Sequence, residues 1–123
     1  MNTLGPINEY TTALYTSDPI LDETGTVVPG TSLYTATLTL YDERTKTIIN
    51  SRNAQNVNQT NGVAISAAGV VTWTMAPADS PIINDKLPQE AHVAVFDFRW
   101  DSGVSRCLHE FKILVKNVSM VSS

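Results

Sequence analysis

The residues best suited to chemistry are few, and their spacing limits what they could do. Cys107-x-His109 places a thiol and an imidazole on one face of a strand, because strand side chains alternate with period two. Thiolate and imidazole both suit zinc, which needs four protein ligands or three plus water. The other histidine, His92, lies two residue pairs from His109 on the hairpin register given below, so the set stays incomplete. Cys107 is therefore read as a buried, reduced thiol beside aromatic rings. No Gly-x-Ser-x-Gly elbow occurs, and neither histidine is followed by a glycine-rich oxyanion segment. The acid pairs Asp22-Glu23 and Asp42-Glu43 fall on turn signals, whereas glycosidase chemistry needs one desolvated carboxyl. Asp79 and Asp85 lack the dense spacing of a calcium loop, and no Walker or dinucleotide fingerprint is present. Asn58-Gln-Thr60 and Asn117-Val-Ser119 match a glycosylation sequon, a match that chance supplies in a chain so rich in Asn, Ser and Thr. The expectation is a protein that is not an enzyme, with no catalytic, cofactor-binding or metal-binding residue.

The elements that would position these residues are strands. Ala36, Leu38 and Leu40 alternate with Thr35, Thr37 and Thr39, and Tyr34 continues the apolar set by one position. Val71, Trp73 and Met75 share a face, which predicts Trp73 in the core. His92–Trp100 and Ser105–Lys116 flank Asp101-Ser-Gly103 and read as a hairpin turning at Ser102-Gly103. That register sets Ala94 opposite Phe111, Phe96 opposite His109, Phe98 opposite Cys107 and His92 opposite Ile113. On the other face Arg99 meets Arg106, which is unfavourable unless Asp97 lies diagonally between them. Residues 76–90 carry three prolines and no alternation, so they form a long connection with at most one helical turn. Residues 1–9 are polar, broken by Gly5-Pro6 and without period, and read as a free arm. Residues 10–118 form the single domain and 119–123 a tail.

Composition agrees with an all-β chain. The sequence has 123 residues, 42% hydrophobic and 16% charged, with 15 Thr, 12 Val and 8 Ile. β-Branched residues fit pleated surfaces, and a charged fraction below the usual ~25% leaves solvent faces neutral and polar. A net charge of −4 with 8 Lys and Arg gives no footprint for a phosphate backbone, so nucleic acid is not expected. Met1–Tyr10 lacks the basic start of a signal peptide, and no apolar run approaches the ~20 residues that span a bilayer. Synthesis in the cytoplasm and no membrane partner are expected. Turn signals every ~8–12 residues point to an antiparallel β-sandwich of seven or eight short strands.

Three segments carry a family resemblance: Leu38–Glu43 with Ile48–Val57, Gly62–Trp73 with Pro77–Ile82, and Glu90–Phe96 with Arg99-Trp100. Over roughly residues 33–116 the chain resembles the small immunoglobulin-like virion proteins of tailed bacteriophages, the head-decoration, cement and tail-associated class. The resemblance implies an immunoglobulin-like sandwich without the inter-sheet cysteine pair, working without chemistry as a structural component of the virion. Its partners would be capsid or tail proteins and other copies of itself. The alternative is a carbohydrate- or protein-binding module of the receptor-binding or adhesin type, acting through its loops. Candidate interface residues are Pro81, Ile82, Ile83 and Leu87 of the long loop, Trp100 at the hairpin end, and Leu4 and Ile7 of the arm.

Overall fold

The computed structural model describes residues 2–83 and 86–118; the expected tail, 119–123, and Asp85 lie outside the described residues. Eight strands form two sheets: β1 (Asn2–Asn8), β2 (Ala13–Thr16), β3 (Thr35–Asp42), β4 (Gln55–Asn56), β5 (Val63–Ile65), β6 (Val71–Met75), β7 (Gln89–Trp100) and β8 (Ser105–Lys116). The larger sheet runs β1-β8-β7-β3-β4 and the smaller β2-β6-β5. With β8, β7 and β3 opposing β2, β6 and β5, the order is that of an immunoglobulin-like sandwich, with β4 as the extra strand of its variable type. Single 3₁₀ turns occur at Gly30–Ser32 and Pro77–Asp79. No helix among those residues is long and apolar enough to cross a membrane.

The hairpin register holds along its whole length. Ala94 faces Phe111, Phe96 faces His109, Phe98 faces Cys107 and His92 faces Ile113. Asp97 does bridge the two arginines, accepting from Arg99 Nε at 3.3 Å and from Arg106 Nε at 3.2 Å. β3 lies against β7 with Ala36, Leu38 and Leu40 turned inward and its threonines at the outer face. At the centre Trp73 is fully buried, edge-on to Phe96 at 5.7 Å, and Tyr15 stacks on Phe111 at 4.0 Å. Rings take the place that a bridging disulfide would fill, and such pairs add to their area burial about 0.5–1.5 kcal/mol each.

Residues 2–8 are not a free arm. They form β1, which pairs with β8 in parallel, so the larger sheet is mixed rather than wholly antiparallel. Leu4 sits opposite Ile113 and Ile7 opposite Val115: three steps along β1 match two along β8. The extra residue is a bulge at Gly5-Pro6, and it brings Leu4 and Ile7 to the same apolar face although they are three apart. A period of two cannot reveal that pair.

The loop after β6 is anchored as well. Asp79 is buried and accepts Arg52 Nε at 2.6 Å, Arg52 Nη2 at 3.1 Å, Asn50 Nδ2 at 2.8 Å and its own turn's Ala76 N at 2.9 Å. Arg52 also donates to Gln55 Oε1 and to the Asn61 carbonyl, with its guanidinium 5.5 Å from the Trp73 ring. Every charge in this buried pair is satisfied, the condition under which burial of an ion pair is tolerated.

Candidate functional site

The connections 17–34 and 101–104 share one end of the sandwich, because Thr35 at the start of β3 pairs with Arg99 beside the hairpin turn. The first connection is built on Asp22. Its Oδ1 accepts from Thr24 N at 2.9 Å, Thr24 Oγ1 at 2.6 Å and Thr26 N at 3.0 Å. The Thr24 hydroxyl and the Thr26 amide hold this carboxyl below its usual range. Gly25 supplies the positive φ that closes the small hairpin, and Leu21 and Val27 bridge across it. Ile20 and Val28 point into the core while Leu21 and Val27 face solvent. After the 3₁₀ turn Leu33 is buried, and Tyr34 donates its N–H to the Arg99 carbonyl at 2.7 Å. The Tyr34 ring stays out, 64% exposed.

The hairpin adds the fourth apolar group. Gly103 N donates to the Trp100 carbonyl and Val104 N to that of Asp101. This leaves Val104 86% exposed. Gly103 lies beside the Tyr34 ring, where an added Cβ would stand 4.0 Å from it. Leu21, Val27, Tyr34 and Val104 thus gather at one end, with Asp22, Glu23 and Asp101 among them. A cleft of about 300 Å³ opens between Asp22, Val27, Pro29 and Trp100, and one of about 490 Å³ between Tyr34, Asp97, Arg99 and Gly103. Exposed apolar groups ringed by polar ones suit docking against another surface.

The residues expected at an interface are not brought together. Trp100 is 9% exposed and closes the core from the loop end. Leu4, Ile7 and Ile82 pack on the core, Pro81 and Leu87 are half-buried, and Ile83 alone of the set is exposed. Prolines and turn chemistry hold residues 76–82 against the domain, so the apolar content of that stretch serves packing. Tyr34 continues the inward alternation of β3 in sequence, yet it stands one step beyond the end of the sandwich. Leu33 and Trp100 fill the last inward space instead. One signal was present for the exposed group: Val104 is a large apolar residue beside Gly103 in a tight turn, where packing cannot reach it.

The Cys107–His109 pair does face inward. Cys107 packs partly against the core, and burial pushes its thiol up. His109 meets the Phe98 ring edge-on at 5.2 Å. Burial lowers its imidazole, with Asp18 partly opposing. No family model, curated protein or solved structure matches the chain.

Proposed function

We propose that this protein is a non-enzymatic structural component of a bacteriophage virion that docks, through its loop end, on repeated sites of the capsid or tail. The observation that carries the reading is the set Leu21, Val27, Tyr34 and Val104, left in water at one end of the sandwich. Each contact can be weak, since many copies on one particle raise the effective concentration. The resemblance of residues 33–116 to virion accessory proteins supplies the kind of assembly. A second reading has support in the Tyr34 cleft, where one exposed ring beside Asp97 and Arg99 offers a face for stacking a sugar.

The test is binding of the purified protein to virions stripped of it, with Val104→Asp and Tyr34→Ser compared with Ile83→Asp. The first two are expected to stay folded and to lose binding at least tenfold, while Ile83→Asp binds as the parent does. Parental binding by both loop-end variants, or no binding by the parent, overturns the proposal. Capture of a glycan by the parent and not by Tyr34→Ser would favour the second reading.

A further inference from the structure

At the end of the sandwich opposite the loop patch, three inward positions that should be apolar are ionisable. Asp42 is the last inward residue of β3 and pairs directly with His92 of β7, with Glu90 two residues before it on the same face. Their exposures are 4%, 0% and 6%. Each offers a ligand atom within 4.8 Å of the other two.

The hydrogen bonds account for only part of this cluster. Asp42 Oδ2 accepts Thr45 N at 3.0 Å and Thr45 Oγ1 at 2.7 Å, whereas its Oδ1 accepts nothing from the described residues. Asp42 has no cationic partner among those residues. Glu90 Oε1 accepts Ile83 N at 2.7 Å and lies 2.8 Å from His92 Nε2. The hydrogen shared by Nε2 and Glu90 Oε1 is one that an ion held by the same two groups would displace. The other ring nitrogen, Nδ1, is buried and has no partner among the described residues. A carboxylate so little exposed is costly without a cation, and Asp42 is one.

We infer that Asp42, Glu90 and His92 form a site for one divalent transition-metal ion of the zinc class. An imidazole with two carboxylates is an N/O set that zinc accepts, while calcium and magnesium favour oxygen alone. Bonds of ~2.0–2.2 Å about a tetrahedral ion set neighbouring ligands roughly 3.4 Å apart. The cluster therefore needs to contract only modestly. A cleft of about 360 Å³ lined by Asp42, Thr45, Leu87 and Glu90 provides entry and room for water as a fourth ligand. The bound ion ties the end of β3 to the start of β7.

The test is zinc added to protein stripped with chelator, read by metal analysis, thermal melting and the ¹⁵N shifts of the His92 ring. One zinc per chain, a rise in melting temperature and a shifted His92 nitrogen are expected. Asp42→Asn, which can keep the bonds from Thr45, and Glu90→Gln should each weaken zinc binding at least tenfold. Cys107→Ser with His109→Gln should leave it unchanged. Absence of stoichiometric zinc, an unmoved His92 resonance, equal affinity for calcium, or binding that follows Cys107 and His109 overturns the inference. The ring shifts of the parent decide the matter even where a variant fails to fold.

Discussion

Trp73 meets the Phe96 and Phe111 rings of the opposing sheet and lies under the Arg52 guanidinium, so its loss removes more than its own area. Trp73→Ala should cost roughly 3–5 kcal/mol, measured by urea or thermal unfolding. Its indole Nε1 has no hydrogen-bond partner among the described residues, so Trp73→Phe forfeits no hydrogen bond there and should be the milder change. An unchanged melting temperature for Trp73→Ala would contradict the packing described. This residue was legible because Val71, Trp73 and Met75 alternate cleanly. Asp42, Glu90 and His92 were not, since the pairing of Asp42 with His92 depends on β3 neighbouring β7 across a long stretch of intervening chain. Read locally, Asp42 looked like a solvated turn acid, and one of its oxygens does serve the turn.

At the scale of elements, the β7–β8 hairpin could be registered from sequence because four inward pairs agree on one alignment. β1 could not, because the bulge at Gly5-Pro6 changes the step between Leu4 and Ile7. That same bulge makes a sharp prediction. Gly5 has φ +100°, and a Cβ there would lie 2.7 Å from the Leu114 carbonyl oxygen and 2.8 Å from Ile7 N. Gly5→Ala should therefore destabilise the domain by more than about 1 kcal/mol in denaturant unfolding. On a free arm the same substitution would leave the unfolding midpoint unmoved. The edges also differ in their defence: β4 has two residues, β5 three and β2 four, while the bulge interrupts β1. Short or interrupted edges discourage pairing with other chains, which leaves the loop end as the better place for a specific contact.

For the whole molecule, acid should loosen the fold before it reaches the carboxylates. Burial holds the His109 imidazole below its usual value of about 6.5, so the unfolded chain binds its proton first. The stability this neutral ring contributes is present above that value and is lost as pH falls through the lower folded one. Asp97 acts in the same direction further down: burial raises its carboxyl, but hydrogen bonds and charge from Arg99 and Arg106 outweigh it and hold it low. The melting temperature should decline between neutral and mildly acidic pH, and His109→Gln should flatten that decline; an equal slope in both would assign it elsewhere. The placement of β1 also bears on how the protein is made. β1 is translated before the other seven described strands, yet its partner in the sheet is β8, with Asn2 beside Phe111 and Asn8 beside Lys116. Leu4 and Ile7 must wait, unburied, until β8 has been translated. Closure of the larger sheet is then a late event that tests whether β8 has been completed, and a product truncated before it keeps an apolar strand open to degradation.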